Sequence, residues 1–210
     1  MRGPRAAAVA APTPQEARLV TPSPRWRESF LAALEEGFRR GSRQAMRRRE
    51  IAKVRRDFDA HLAERTRQTG EIVLPGGRRV EGVPVSLHWL VAGEVFIGEL
   101  SFRHRLNDYL RLSGGHVGYG VRPSLWGRGF GTRLLALGIE EARARALSRL
   151  LVTCHADNPA SARVIEANGG VLEDVIDDIF GGGALKRYWI RLDQVPMSVS
   201  APPAAAPDRP

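Results

Sequence analysis

The sequence predicts an α/β (α+β) protein with a mixed, mainly antiparallel central sheet and helices on both faces. Three observations support this class. Short β-rich runs follow one another in the middle of the chain, helical periodicity flanks them, and a strand–helix–strand unit lies between His116 and Cys154. Such a crossover makes its two strands parallel, whereas a meander makes strands antiparallel. The sheet therefore has to contain both kinds of pairing.

The N-terminal part is predicted to be helical after one short strand. Residues 17–21 are a candidate strand, and Ser23-Pro24 opens a helix whose apolar side chains recur at helical spacing up to Phe38. A second helix is predicted over about residues 50–67, with its apolar stripe on one side and most of its basic residues on the other. Both helices are amphipathic, so each has to pack against another element.

The remaining elements complete the sheet. Three β-rich runs separated by turn residues indicate an antiparallel meander, and helices then alternate with strands. The β-rich runs are residues 85–91, 94–102 and 116–121, followed by a helix over 130–147, a strand over 150–154, a helix over 158–168 and a hairpin of 171–180 with 184–192 across Gly181–Gly183.

A chain of 210 residues accommodates one domain with a hydrophobic core. We expect this domain over residues 15–194, with a helical part over 15–83 and the sheet and cofactor core over 84–194, between Ala/Pro-rich disordered tails at 1–14 and 195–210. The one cysteine cannot form an internal disulfide, and no apolar stretch reaches the length of a membrane span. These features predict a cytoplasmic protein without a membrane partner.

The net charge of +9 is concentrated in the first half of the chain. Residues 1–111 hold 21 basic and 13 acidic groups, and nine basic residues against one acid lie between Arg39 and Arg56. Clustered arginines bind nucleic-acid phosphates, but a basic run is also the ordinary solvated face of a helix. No aromatic residue interleaves the run and no zinc-finger spacing follows it. The solvated face is therefore favoured, and nucleic acid is not an expected partner.

A glycine-rich turn carries the clearest chemical signal. In GYGVRPSLWGRGFGT, residues 118–132, a strand leads through an Arg-Pro turn and three alternating glycines into a helix. Small residues leave backbone N–H groups uncovered at a helix N-terminus, where the positive end of the dipole lies. This predicts a phosphate or pyrophosphate site with added contacts from Arg122, Arg128 and Arg133. The spacing fits neither the Gly-x-Gly-x-x-Gly fingerprint nor the Walker A motif, which needs a lysine.

This turn and the segment after it resemble a known family. VRPSLWGRGFGTRLL followed by LVTCHADNPASARVIEANGGVLED is similar to the acetyl-CoA-binding core of the GNAT superfamily of N-acetyltransferases, and in particular to uncharacterised bacterial members with the strings HxGYxVRPS and NGGVLE. The likeness covers about residues 86–192. It implies a GNAT-like acyl-CoA N-acyltransferase fold, in which the strand ending at Val121 splays from the strand 150–154 and the pantetheine arm pairs in the gap.

The resemblance also implies which residues hold acetyl-CoA, the acyl-donor substrate. Residues of the strand would bond the pantetheine, and backbone amides of the glycine turn would bond the pyrophosphate. Residues at the start of the next helix would form the second half of the cofactor site. These residues are Tyr119, Gly120 and Val121 for the pantetheine, then Gly127, Arg128, Gly129, Phe130, Gly131 and Thr132 for the pyrophosphate, and finally Asn158 with Ser161. Asn158 before Pro159 is also a good helix N-cap, so a purely structural role for it stays open.

Two positions depart from the family pattern. Trp126 stands where the pyrophosphate loop usually begins with Arg or Gln, which removes one side-chain contact but leaves the amides. Ile165 stands where the family often has the tyrosine that protonates the departing thiolate. The thiolate of coenzyme A is a tolerable leaving group near neutral pH, so water or Tyr188 would have to take this role.

Acetyl transfer to an amine needs a proton acceptor, because an alkylamine with a pKa of about 10.4 is protonated at pH 7. The catalytic candidates are Glu99 and His116, the latter on the same pleat face as Gly118 and Gly120. Each has a structural alternative. His116 can be a half-buried histidine bonded to a backbone carbonyl. Glu99 can be the ion-pair partner of Arg103, which is preferred over a base with a raised pKa.

The loop Arg103–Asn107 is predicted to recognise the acceptor through Arg103, His104 and Asn107, whose donors suit an anionic group on the substrate. The alternative is a solvent-exposed connection. No metal is predicted, because His61, His88 and His155 lack a second ligand at metal spacing. Cys154 lies on a predicted buried strand and is expected to be part of the core.

These features predict an enzyme, an N-acetyltransferase that moves the acetyl group of acetyl-CoA to an amine of a small molecule or peptide by direct attack in a ternary complex. The alternative is a non-catalytic acyl-CoA-binding regulator or a nucleic-acid-associated module that uses the basic helix 39–56. The missing tyrosine and the arginine run motivate this alternative. Self-association into a homodimer stays open.

Overall fold

The computed structural model of the chain describes residues 11–40, 44–67, 71–73, 77, 79–179 and 181–193. The predicted tails at 1–14 and 195–210 therefore lie outside the described residues, apart from residues 11–14. A seven-stranded sheet forms the centre, and its strands come from both halves of the chain. In chain order they are β1 (Arg18–Val20), β4 (Val85–Ala92), β5 (Val95–Arg103), β6 (Val117–Val121), β7 (Arg149–His155), β8 (Gly170–Asp177) and β9 (Ala184–Arg191), and a separate ribbon holds β2 (Glu71–Val73) and β3 (Arg79–Glu81).

The strand order in the sheet is β1-β4-β5-β6-β7-β9-β8, and every neighbouring pair is antiparallel except β6 with β7. This confirms the predicted mixed, mainly antiparallel sheet. The parallel pair arises where predicted, because one helix connects β6 to β7 as a crossover.

Helices cover both faces of the sheet, as predicted. The helices α1 (Arg27–Glu35), α2 (Arg48–Arg56) and α3 (Phe58–Arg65) pack on one face, while α5 (Phe130–Ala144) and α6 (Pro159–Ala167) pack on the other, and the short α4 (Asp108–Leu112) lies between β5 and β6 in the chain. The α1 face has an aromatic core in which the rings of Phe30 and Trp89 stack with centroids 4.7 Å apart. The α5 face has a mainly aliphatic core that includes Leu134, Leu135 and Val152.

Two N-terminal details differ from the prediction. The single helix expected over 50–67 is two helices, because Asp57 interrupts it with non-helical backbone angles, φ −133° and ψ 71°, and accepts a hydrogen bond from the Ala60 amide at 3.2 Å. An aspartate in this position caps the second helix and cannot continue the first. The ribbon of β2 and β3 and the helix α4 were not predicted, because each is only three to five residues long.

A β-bulge sets the direction of one important side chain. Leu90 pairs with Gly98 and Val91 with Phe96, so β5 has one extra residue at this point. Side chains of a strand alternate between the two faces of the sheet, and beyond the bulge this alternation in β5 is shifted by one residue. Glu99 consequently lies on the α1 face beside Trp89, whereas Ile97 belongs to the core on the α5 face.

Candidate active site

The strands β6 and β7 separate immediately after they meet. They pair only at Val117 with Val152. The amide of Arg122, just after β6, donates at 2.8 Å to the carbonyl of Ile97 on β5, which is the neighbour of β6 on the edge away from β7. Because successive residues of a strand direct their peptide groups to opposite edges, Tyr119 and Val121 face the gap between β6 and β7. The structure thus contains the splayed pair that the resemblance implies.

Only part of the predicted pantetheine strand faces this gap. Gly120 lies opposite Glu99 in the β5 register and directs its peptide groups to β5, so its backbone is not placed for the predicted bond to pantetheine. The carbonyl of Val121 already accepts a hydrogen bond from the indole Nε1 of Trp126 at 2.7 Å. The peptide groups of Tyr119 and the amide of Val121 are therefore the ones that the gap offers.

The glycine turn ends in an uncapped helix N-terminus. Gly127 and Gly129 have φ angles of 72° and 82°, in the left-handed region that favours glycine. Gly129 is the N-cap residue of α5 and has no side chain to bond the first amides of the helix. The N–H groups of Phe130, Gly131 and Thr132 thus lack the intrahelical partners that later residues have. This arrangement fits the predicted pyrophosphate site.

The three arginines predicted to assist this site differ in the structure. Arg122 is bound elsewhere, because its Nε donates to Glu36 Oε1 at 2.8 Å and its Nη1 to Ser29 Oγ at 3.3 Å. This ion pair also holds the pKa of Glu36 below its usual value. The Nε of Arg133 is buried without a hydrogen-bond partner among the described residues. Arg128 is exposed. The contacts predicted for Arg128 and Arg133 stay predictions, whereas the guanidinium of Arg122 is bound to Glu36 and Ser29 and not to the glycine turn.

The start of α6 closes the other side of the gap. Asn158 Oδ1 accepts from the Ser161 amide at 3.0 Å, which confirms the N-cap. The hydroxyls of Ser161 and Tyr119 lie 2.9 Å apart and so link α6 to β6. Burial raises the pKa of Tyr119 to about 12, so its hydroxyl stays protonated. Cys154 is buried on the same side, as predicted, and burial raises the pKa of its thiol.

Glu99 lies at the centre of an Arg–Glu–Arg cluster, formed with Arg40 and Arg65. The side chain of Glu99 is 1% exposed. Its Oε1 accepts from Arg40 Nη1 at 3.1 Å and from Arg65 Nη2, and its Oε2 accepts from Trp89 Nε1 at 3.2 Å. The predicted partner Arg103 is four residues along the same strand, about 13 Å away at 3.3 Å per residue, and it is not the partner. Both oxygens of Glu99 are thus engaged by hydrogen-bond donors, and neither is directed to the gap.

His116 connects two strands instead of facing the acceptor. Its Nδ1 accepts a hydrogen bond from the Leu151 amide at 2.9 Å, and its own amide donates to the Leu151 carbonyl at 2.8 Å. Burial, with added repulsion from Arg111 and Arg103, lowers the pKa of His116 to about 4. The partner is thus a backbone amide, not the carbonyl considered in the structural alternative. A neutral imidazole with an occupied Nδ1 does not suit a general base.

The predicted acceptor loop lies at the closed end of the gap. The amide of Arg103 bonds to the carbonyl of His116, next to the point where β6 and β7 pair. Arg103 Nη1 donates to the carbonyls of Gly114 and Gly115 at 2.8 and 3.0 Å, and His104 Nε2 lies 2.7 Å from Ser86 Oγ. Asn107 Oδ1 caps α4 through the Leu110 amide. These three side chains support local structure and are not placed for acceptor recognition.

Neither the position of the family's tyrosine nor Tyr188 provides a free hydroxyl in the gap. Ile165 is fully buried, and a Cβ on Gly170 would overlap its side chain, so this position is tightly packed. Tyr188 donates its hydroxyl to Glu166 Oε1 at 3.1 Å, and burial raises its pKa to about 12.

The structure divides the arginine run between several roles. Arg40 enters the Arg–Glu–Arg cluster, Arg47 pairs with Glu50 at 3.0 Å, and Arg55 pairs with Glu35 at 2.6 Å. An open groove of about 660 Å³ lies beside these helices. Its lining comes from the segment before α2, from α2 and from α3, and includes Met46, Glu50, Val54, Asp57, His61 and Glu64.

Comparison with known proteins agrees with this geometry. The sequence profile of the acetyltransferase (GNAT) domain matches residues 34–171, which is more than half of the chain, so the chain belongs to this family. It is accordingly an acetyl-CoA-dependent acyltransferase. No curated protein matches the chain significantly. Within the described residues, no helix is both long enough and apolar enough to cross a membrane.

Solved structures share the fold at low identity. RimJ of Mycobacterium smegmatis, in complex with CoA-disulfide, is similar with a TM-score of 0.60 and 18% identity over 87% of this chain and 85% of its own. The microcin C7 self-immunity acetyltransferase MccE, in complex with acetyl-CoA and AMP, has a TM-score of 0.54 and 14% identity over 84% of this chain and 92% of its own. A spermidine N-acetyltransferase SpeG chimera from Vibrio cholerae and hSSAT has a TM-score of 0.53 and 14% identity over 84% of this chain and 96% of its own.

Proposed function

We propose that the protein transfers the acetyl group of acetyl-CoA to an amine of a small molecule or peptide, by direct attack while both substrates are bound. The gap between β6 and β7 carries this proposal. The peptide groups of Tyr119 and the amide of Val121 face the gap, and the amides of the glycine turn begin only six residues after Val121. A pantetheine arm and its pyrophosphate need these two features in this order. The similar structures of RimJ and MccE hold coenzyme A derivatives.

Direct attack is favoured over an acyl-enzyme route. The only cysteine, Cys154, is buried on the α5 face, and its thiol has a raised pKa, whereas a covalent route needs an accessible thiolate. In direct attack the amine nitrogen forms a bond to the thioester carbon and the carbon–sulfur bond breaks. Coenzyme A leaves as a thiolate, and the amine loses one proton.

Water receives the proton of the amine in this proposal. Glu99 is bound to two guanidinium groups and His116 has a pKa of about 4, so neither is suited to accept it. The acceptor then reacts as the free amine. The rate should rise with pH up to the pKa of the acceptor amine, without an earlier plateau set by a protein base.

The test is incubation of the protein with acetyl-CoA and a library of amines and peptides, followed by free-thiol release and by mass spectrometry of the acceptor. We expect thiol and acetylated amine in equal amounts. Tight binding of coenzyme A without turnover of any acceptor would favour the non-catalytic alternative.

A further inference from the structure

The segment Pro12–Glu16 forms an arm that packs on the glycine turn. The Cγ atom of Pro14 lies 3.5 Å from the point that a Cβ on Gly129 would occupy. The carbonyl of Pro12 accepts a hydrogen bond from Arg128 Nη2 at 3.5 Å. Both prolines are partly buried, whereas the other residues of the arm are exposed. The arm therefore contacts the N-cap residue of α5 and an arginine that the sequence predicts to assist the pyrophosphate.

The arm is a preformed turn with one end anchored in the core. Glu16 Oε2 accepts hydrogen bonds from the amide and the hydroxyl of Thr13, at 2.9 and 2.8 Å. The amide of Ala17 donates to the carbonyl of Pro14 at 3.3 Å. Ala17 itself is 1% exposed in the core on the α5 face, and β1 begins at the next residue. The position of the arm on the glycine turn is thus a continuation of the fold.

The arm presents hydrogen-bond acceptors to a site that is proposed to hold an anion. Proline has no N–H group, so Pro12 and Pro14 contribute only carbonyl oxygens. The arm also carries the carboxylate of Glu16, and its hydrogen bonds with Thr13 hold its pKa below the usual value. A pyrophosphate needs donors and positive charge, and nearby carbonyl and carboxylate oxygens repel it. The docked arm therefore opposes a pyrophosphate on the same turn.

The contact of Arg128 with the arm is one that a phosphate can replace. Arg128 Nη2 is bonded to a neutral carbonyl at 3.5 Å, which is long for a hydrogen bond, and Arg128 Cζ lies 5.9 Å from the centroid of the Phe130 ring. A guanidinium pairs more strongly with a phosphate, which offers two charged oxygens to its planar fork. An arriving pyrophosphate thus competes with the arm for this arginine.

We propose that the arm is an autoinhibitory cover of the pyrophosphate site, which coenzyme A displaces when it binds. The inference rests on the proposed function and adds a regulation of its donor site. Acetyl-CoA and coenzyme A carry the same pyrophosphate, so the arm weakens the binding of the donor and promotes release of the product. Partial occupancy of the binding-competent state raises the apparent Kd by the inverse of its fraction. A site that is uncovered in about 10–30% of the molecules binds about threefold to tenfold more weakly than an open one.

The first experiment is calorimetric titration of acetyl-CoA into the full chain and into arm variants. Pro14→Gly removes the ring that contacts Gly129, and the double variant Pro12→Gly/Pro14→Gly also gives the arm more backbone freedom. Both should bind acetyl-CoA about threefold to tenfold more tightly than the wild type. Pro24→Gly is the matched control, because Pro24 is an exposed proline beyond β1 at the start of a 3-10 helix. Its Kd should equal that of the wild type, and circular dichroism verifies that each variant is folded.

The second experiment follows the arm itself. Pro12→Cys places a thiol at a partly buried position and keeps the backbone carbonyl, while the native Cys154 is buried. Alkylation by iodoacetamide is measured by mass spectrometry of peptides, with and without saturating acetyl-CoA. Displacement of the arm should accelerate alkylation about threefold to tenfold, the inverse of the uncovered fraction. Gln15→Cys is the control, because this side chain is exposed in the docked arm and should react at the same rate in both states.

The outcomes separate the arm from the proposed function. Equal affinity of the wild type and both proline variants would overturn the inference and leave acetyl transfer intact. Slower alkylation of Pro12→Cys with acetyl-CoA would also overturn it, because the arm would then close over the bound cofactor. Tighter binding by the proline variants without thiol release from any amine would support the arm and overturn acetyl transfer. Absence of acetyl-CoA binding in the wild type and in every variant would overturn both.

Discussion

Removal of the charge of Glu99 is expected to destabilise the fold strongly. Glu99→Gln preserves the shape of the side chain and its contact with Trp89 but leaves Arg40 and Arg65 facing each other without a carboxylate. Loss of one partner from a buried ion pair costs about 3–5 kcal/mol, and the partial exposure of both arginines reduces this to about 2–4 kcal/mol. For a domain of this size the melting temperature should fall by about 5–15 °C.

The assay is urea unfolding followed by circular dichroism, with Glu94→Gln as the matched control. Glu94 lies in the turn of the same β4–β5 hairpin and pairs with Arg25, but the side chains of Glu94 and Arg25 are 68% and 57% exposed. Solvent screens such a pair, so its loss should leave stability unchanged within error. Equal effects of the two substitutions would refute the account of Glu99 as a buried charge that depends on its arginines.

Three further predictions concern the glycine turn and the two rejected catalytic groups. Gly129→Val should abolish acetyl-CoA binding in calorimetry. The control Gly93→Ala, which imposes left-handed backbone strain at φ 53° in the β4–β5 turn, should leave that binding intact. Unchanged affinity of the Gly129 variant would remove the pyrophosphate assignment. His116 has a folded pKa of about 4 against about 6.5 unfolded, so its contribution of roughly 3 kcal/mol is present above pH 6.5 and lost as pH falls towards 4. His116→Asn keeps an acceptor for the Leu151 amide and should weaken the pH dependence of the free energy of unfolding, measured with urea between pH 4 and 6.5. An unaltered pH dependence would contradict the lowered pKa of His116. Tyr188→Phe should leave kcat unchanged in the thiol assay because its hydroxyl is bonded to Glu166, and a large fall in kcat would instead make Tyr188 the proton donor.

The donor side of the site was predictable because its signals are local. The glycines, the strand before them and the helix after them lie within fifteen residues, and the left-handed φ angles at Gly127 and Gly129 agree with that interpretation. The N-cap at Asn158 was visible for the same reason, since a cap depends on residues three positions apart. Local sequence constrains local backbone, and the proposed donor site is made largely of backbone.

The partners of Glu99 were not predictable because they depend on contacts across the chain. Glu99 needed a basic partner, and the nearest in sequence was Arg103, but the actual partners come from residues 40 and 65. The bulge at Leu90 and Val91 also turned Glu99 to the face opposite Ile97, which strand alternation alone does not reveal. A buried carboxylate on an apolar strand signals that a cation must be near it, but the sequence does not say which one.

Arg122 illustrates the same limit on the donor side. Its position beside the glycine turn predicted a phosphate contact, yet Glu36 at the end of α1 binds its guanidinium. Nothing near Arg122 in the sequence indicates that Glu36 folds against it, because 86 residues separate the two.

A crystal structure with bound coenzyme A would test the central claim most directly. The account predicts that the pyrophosphate lies on the amides of residues 127–132 and that the pantetheine arm pairs with Tyr119 and Val121 in the gap between β6 and β7. Its thiol should point to the face that carries Arg40, Glu99 and Arg65. Coenzyme A bound elsewhere, or a thiol directed away from that face, would contradict it.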